Sequence, residues 1–173
     1  MVVASSSRPV TILGLDPGLR NTGWGLIRFH QGKLSHMAHG VIHSTSKMAL
    51  AGRLNELFEG LEKIIKDWDP DEAAVEETFV NKNPVSTLKL GMARGVVLLA
   101  PAKAGLSVAE YSANKVKKTV VGAGHADKNQ VSMMVQHLLP AAGPVHLDAA
   151  DALAVAICHA HYRTASSLWE KAS

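Results

Sequence analysis

The apolar positions change period several times along the chain, and each change marks an element. Val10 to Asp16 (VTILGLD) is a short, almost wholly apolar run closed by the turn pair Pro17-Gly18, which predicts a buried strand. Thr22 to Phe29 and Lys33 to His43 follow, separated by Gln31-Gly32, so the first three strands are predicted to form an antiparallel meander. From Ala49 to Trp68 the period becomes helical. Leu50, Leu54, Leu57, Phe58, Leu61, Ile64 and Ile65 share one stripe, and Asp69-Pro70 stops it. Glu72 to Thr78 (EAAVEET) reads as the fourth strand.

Asn83-Pro84 opens a long helix to about Ala104, with proline in the first turn, where its missing N–H leaves no bond unmade. The run Val96 to Ala100 is apolar on more than one side, as in a helix buried both in a core and in an interface. Pro101 predicts a kink or an early stop there. Leu106 to Tyr111 is the fifth strand. A short basic helix, Ala113 to Val120, leads into a flexible stretch, Gly122-Ala123-Gly124. Asp127 is placed to cap a helix reaching Leu139, Pro140 to Pro144 is a loop, and His146 to Tyr162 is the last helix. Residues 1–9 and 164–173 are expected to be loose tails on a single domain, 10–163. Three antiparallel strands followed by strands alternating with helices imply an α/β fold of ribonuclease H-like type: a five-stranded mixed sheet with helices on both faces.

Composition narrows the class. With 173 residues, 47% hydrophobic and 19% charged, the chain suits one globular core. The single cysteine, Cys158, excludes an intramolecular disulfide and a cysteine-cluster zinc site, and reads as a small core residue. No apolar run is taken to reach the length of a membrane span, and Met1 to Pro9 lacks a signal-peptide core, so the expectation is a soluble, cytoplasmic protein. The net charge of +3 is unevenly spread. Residues 80–130 hold eight basic residues (Lys82, Lys89, Arg94, Lys103, Lys115, Lys117, Lys118 and Lys128) against Glu110 and Asp127, while the flanking segments are net acidic. A basic middle in an acidic frame fits a nucleic-acid enzyme that uses carboxylate-bound metals, or else simply a solvated charged face.

Phosphodiester hydrolysis assisted by two divalent ions needs several carboxylates converging on one pocket, because hard cations such as Mg²⁺ prefer oxygen ligands. Acids that sit badly in their local sequence are therefore the candidates. Asp16 ends an apolar strand, where a charge is costly unless something binds it; an Asx-turn into Pro17-Gly18 is the plainer alternative. Glu76 and Glu77 are adjacent in a strand and so point to opposite faces; only one of them can join Asp16, and periodicity does not choose. Asp148 and Asp151 lie three apart on one helical face among alanines, where they repel each other unless a cation or the helix N-terminus offsets the charge. His146 is near this pair and is read as a surface histidine before a metal or water-activating one. His159 and His161 have no ligand spacing. Gly14, Gly18, Gly23 and Gly25 precede no helix and so form no phosphate loop.

The segments GLDPGLRNTGWG, AVEETF, TLKLGMARGV, VKKTVVGAG, ADKNQV and LDAADALAVAICH resemble, in order and spacing, the motifs of the RuvC family of Holliday junction resolvases, over roughly Val10 to His161. The resemblance implies a metal-dependent endonuclease that nicks two strands of like polarity in a four-way DNA junction, leaving 5′-phosphate and 3′-hydroxyl ends. It implies a homodimer, two Mg²⁺ ions per site with Mn²⁺ as a substitute, and cooperation with the RuvA–RuvB branch-migration machinery. Carried over by motif, the catalytic, metal-binding carboxylates are Asp16, Glu76, Asp148 and Asp151, which selects Glu76 over Glu77. Lys128 matches a basic residue near the scissile phosphate, Lys117 another that handles DNA, and Phe79 an aromatic offered to bases at the crossover. Lys82, Lys89, Arg94 and Lys118 complete the expected DNA contacts, and the helix from Pro84 is expected to carry much of the dimer contact. The rival readings are a YqgF-like nuclease of the same fold, a junction binder that does not cut, and an actin-like ATPase, for which the chain is too short.

Overall fold

The computed structural model describes the backbone of residues 8–77 and 82–172, and the side chains of 8–77 and 82–163. Its strands β1 (Val10–Asp16), β2 (Asn21–His30), β3 (Lys33–His43), β4 (Glu72–Glu76) and β5 (Ser107–Tyr111) form one sheet in the order β3-β2-β1-β4-β5. β1 pairs antiparallel with β2 and parallel with β4, so the meander and the parallel half of the sheet meet on it. Connection length explains the switch. A short turn joins β1 to β2, whereas α1 (Leu50–Trp68) precedes β4 and α2 (Pro84–Lys103) precedes β5.

Helices cover both faces, as the element order predicts. On one face lie α3 (Ala113–Val121), α4 (Lys128–Leu138) and α5 (Leu147–Ala172); on the other lie α1 and α2. Alternation along β1 feeds both cores. Val10 and Ile12 pack with Val116, Val135 and Leu153, while Leu13 and Leu15 pack with Leu57, Leu61 and Val97. α5 is the most deeply set helix, with Ala149, Ala150, Ala152, Ala154 and Ala156 all buried. Its alanines let it lie close to the sheet, and Gly14 completes the fit: a Cβ there would overlap the Ala152 carbonyl oxygen and stand 2.7 Å from Ala156 N. Cys158 is a fully buried core residue, as expected.

Several expectations need correction. α2 runs through Pro101 to Lys103 instead of stopping, since so near the helix end a proline forfeits little of the hydrogen-bond ladder. α2 also has 20 residues and a window of mean hydropathy 1.3, so by length and composition alone it is long and apolar enough to cross a membrane, which the sequence reading denied. It packs against α1, β4 and β5, burying Ala93, Val97 and Ala100. α5 continues to Ala172 rather than ending at Tyr162, because TASSLWEKA contains no glycine or proline to stop it. Within the loop Pro140 to Pro144, residues Pro140–Ala142 form a 3-10 turn. Arg8, placed in a loose tail, pairs with Asp71, whose other carboxylate oxygen accepts the Thr11 N–H at 2.8 Å, so the start of β1 is fastened to the approach to β4.

Candidate active site

The site grows out of two strand ends and one helix start. Asp16 is the last residue of β1 and follows Ile12 and Gly14 on the side facing α5. On β4, Ala74 belongs to the α5-side core and Val75 to the opposite one, so Glu72 and Glu76 face α5 with Ala74. Glu76 is partly buried there, whereas Glu77 is exposed. Period two left that choice open, and the placement agrees with the motif. α5 then brings Asp148 and Asp151 over the strand ends from its first turns. Its seat depends on Gly23 of β2, where a Cβ would overlap the Asp148 carbonyl oxygen.

Asp16, Asp148 and Asp151 offer carboxylate oxygens that all lie within 4.8 Å of one another. Glu76 joins Asp16 and Asp151 in lining a cavity of about 130 Å³, together with Lys117 and Lys128. Lys128 is the first residue of α4. Asp127 sets it there by a capping box, accepting the Gln130 N–H at 2.9 Å while the Gln130 side chain accepts the Asp127 N–H at 2.9 Å. From that position Lys128 Nζ reaches to 3.3 Å from Asp151 Oδ2. Lys117 comes from α3, whose start is capped by Ser112 accepting the Lys115 N–H. His146 is mostly exposed; its Nδ1 accepts the Asp148 N–H at 3.3 Å and lies 3.6 Å from Asp148 Oδ2, so it borders the cluster from the mouth of α5.

Crowding buried acids together changes how they titrate. Burial, then the neighbouring Glu76 and Asp151 charges, raise Asp16 to about 8, against the pull of Lys128. Burial and Asp151 raise Glu76 to about 7, with Lys117 and Lys128 opposing. Burial also raises Asp151, opposed by Lys128, and the same Asp151 charge raises Lys128. Two lysines are thus too little positive charge for this carboxylate set. Closely spaced oxygens from acids held in an unfavourable charge state are what a hard divalent cation stabilises, so the residues present fit Mg²⁺ or Mn²⁺.

The other predicted residues fall into different places. Lys118 on α3, Lys82 ahead of α2 and Lys89 on α2 are exposed. Arg94 is turned onto β5, where its guanidinium pairs with Glu110, so it ties α2 to the sheet. Phe79 lies outside the described residues. Sequence reading missed a second polar cluster at the far end of β4. Glu72 accepts hydrogen bonds from His159 and Arg163, both at 2.8 Å, and the other nitrogen of His159 meets the Tyr111 hydroxyl at 2.8 Å. The available signal was that Glu72 shares the strand face of Glu76 four residues earlier.

Comparisons with known proteins agree with this geometry. The family model described as crossover junction endodeoxyribonuclease RuvC matches residues 12–159. The chain is 64% identical to the crossover junction endodeoxyribonuclease RuvC of Paramagnetospirillum magneticum over 88% of its own length and 92% of that protein's. It is 58% identical to the protein of the same name from Rhodopseudomonas palustris, over 96% of both. Among solved structures, T. thermophilus RuvC in complex with Holliday junction substrate superposes with a TM-score of 0.83 at 30% identity, covering 91% of this chain and 96% of that one. The yeast mitochondrial Holliday junction resolvase Ydc2, at 13% identity and a TM-score of 0.64, shares the fold. The chain belongs to the RuvC family of crossover junction endodeoxyribonucleases.

Proposed function

We propose that this protein resolves four-way DNA junctions by symmetric, Mg²⁺-dependent nicking of two strands of like polarity, leaving 5′-phosphate and 3′-hydroxyl ends. The observation that carries the reading is the convergence of Asp16, Glu76, Asp148 and Asp151 from two strand ends and one helix start. Asp16, Glu76, Asp148 and Asp151 would hold the cations, with Mn²⁺ able to replace Mg²⁺. When bound, such ions supply Lewis-acid activation of the attacking water and of the leaving oxygen. The chain's own residues do the rest. Lys128 and Lys117, on the cavity wall, offset negative charge gathering on the phosphate, and Lys118, Lys82 and Lys89 draw the phosphate backbone towards the cleft. Phe79 would stack on a base at the crossover.

Paired nicks need two sites in fixed relation, which a two-fold dimer supplies. α2 offers the surface: Val85, Leu88, Met92 and Leu99 are exposed at near-heptad spacing, and Gly95, which falls in the same row, has open space above it. A second α2 seated on this row would cover an apolar stripe that is exposed among the described residues. In the cell the dimer would act in the cytoplasm beside the RuvA–RuvB branch-migration complex, within one domain spanning 10–163.

The test is cleavage of a synthetic mobile four-way junction with Mg²⁺ by wild type and by Asp16→Asn. Symmetric nicks by wild type, with binding but no cutting by the variant, are expected. Degradation of structured RNA with junctions left intact would move the function to ribosomal RNA processing, and binding without cutting by either protein would make it a non-catalytic junction binder.

A further inference from the structure

Glu72 and Glu76 stand at the two ends of β4 on the same face, and α5 runs across that face in the opposite direction. At one end Glu76 shares the active-site cavity with Asp151; at the other, Glu72 Oε2 meets His159 Nε2 at 2.8 Å. The spans match. Four residues of strand from Glu72 to Glu76 cover about 13 Å, and eight residues of helix from Asp151 to His159 cover about 12 Å. The two contacts therefore close a frame whose sides are β4 and α5.

The far corner is built for rigidity. Glu72 uses both oxygens, the second accepting Arg163 Nε at 2.8 Å. His159 carries the contact onward from that carboxylate, its Nδ1 lying 2.8 Å from the Tyr111 hydroxyl. Tyr111 ends β5 directly beside Glu76, and its carbonyl accepts the Glu77 N–H at 2.8 Å. So the chain of contacts returns to the strand end that carries the catalytic glutamate. Tyr111 also stacks on Tyr162 of α5 with ring centroids 5.8 Å apart.

We propose that Glu72, His159 and Tyr111 are positioning residues for the metal centre: they set the register of α5 along β4, and with it the separation between Glu76 and the Asp148/Asp151 pair. This rests on the metal-binding reading of those carboxylates. A slip of α5 by a fraction of its 1.5 Å rise per residue would spoil a site in which ligand atoms must converge, while leaving the fold in place.

The test measures Mn²⁺ binding, by the electron paramagnetic resonance signal of the free ion, for wild type, Glu72→Ala, His159→Gln and Tyr111→Phe. Thermal midpoints are recorded in metal-free buffer, and the Mg²⁺ dependence of junction nicking alongside. Tyr111→Phe removes one oxygen and keeps the ring stack, so it reports even where the larger changes unfold the protein. The expected result is Mn²⁺ affinity weakened about 5-fold or more in folded variants, half-saturating Mg²⁺ raised to match, and the nicking rate largely recovered at high Mg²⁺. Lowered melting points with Mn²⁺ affinity within 2-fold of wild type in all folded variants would overturn the proposal and leave the cluster a stabilising one only. Failure of wild type itself to bind Mn²⁺ would instead remove the metal-binding reading, and this inference with it.

Discussion

Lys128 Nζ lies 3.3 Å from Asp151 Oδ2 and on the wall of the cavity that holds Asp16 and Glu76. In the proposed reaction its ammonium would serve the carboxylates before substrate arrives and the phosphate afterwards. Lys128→Gln should lower the nicking rate at saturating Mg²⁺ by roughly 10²-fold, the scale on which a positioned charge donor acts. Junction affinity should change by far less. Single-turnover cleavage together with a gel-shift titration separates the two, and a rate within a factor of three of wild type would remove Lys128 from the chemistry.

The buried carboxylate cluster is a stability liability at alkaline pH. Asp16 is held at about 8 and Glu76 at about 7, both above their ordinary values, chiefly by burial. A raised folded-state value favours the folded protein in full below the ordinary values of 3.8 and 4.5, and that contribution is lost progressively as pH rises from there to about 8. Metal-free protein should accordingly melt at a lower temperature at pH 9 than at pH 6. Asp16→Asn should melt higher than wild type at pH 9, by a margin that shrinks as pH falls and closes only towards the ordinary value of 3.8, while losing all nicking activity. Differential scanning calorimetry across that range gives the answer. A variant no more stable than wild type at pH 9 would mean that Asp16 carries no such penalty.

Glu72 has the opposite slope. Its hydrogen bonds from His159 and Arg163 hold it down at about 2. Its contribution is present above its ordinary value of 4.5 and is lost as pH falls towards 2. Hydrogen bonds to a charged group of this kind contribute roughly 1–3 kcal/mol. Urea melts of wild type and Glu72→Gln should differ by that order at pH 6, draw together below pH 4.5 and converge only towards pH 2. A gap that stays constant with pH would contradict the assignment.

Leu88 and Leu99 are 64% and 57% exposed on α2, side chains that a protomer in isolation has no reason to present together. Leu88→Glu should turn a dimeric mass into a monomeric one by light scattering. It should also reduce paired nicks to single, uncoupled ones, with the melting point of the monomer little altered. A wild-type mass of one chain at micromolar concentration would place the second site elsewhere.

Gly14 admits α5 to the sheet. Gly14→Val forces side-chain atoms against the Ala152 backbone and the Ala156 Cβ, so destabilisation of at least about 3 kcal/mol is expected, at the upper end of overpacking effects because backbone is involved. Chemical denaturation measures it, and a loss below about 1 kcal/mol would mean that α5 can lift off β1 cheaply.

Much of this protein was legible in one dimension. Turn pairs such as Gln31-Gly32 and Asp69-Pro70, and the switch from period two to period 3.6 at Leu50, determine strands, helices and their order, because they act through neighbours in sequence. Asp16 and the Asp148/Asp151 pair stood out for the same local reason: charges in apolar company. The choice between Glu76 and Glu77 was different. Alternation says only that they oppose each other, and which face meets α5 is decided by Ala74 and Val75 packing into separate cores. Arg94 reads in sequence as one more cation of a basic segment, yet the helix face it occupies turns it to Glu110. The Glu72–His159–Tyr111 cluster joins residues 87 and 48 positions apart, and no local pattern encodes a hydrogen bond across such distances. Propensity and periodicity act within a few residues, whereas partners from separate elements are fixed only when the sheet and α5 have packed.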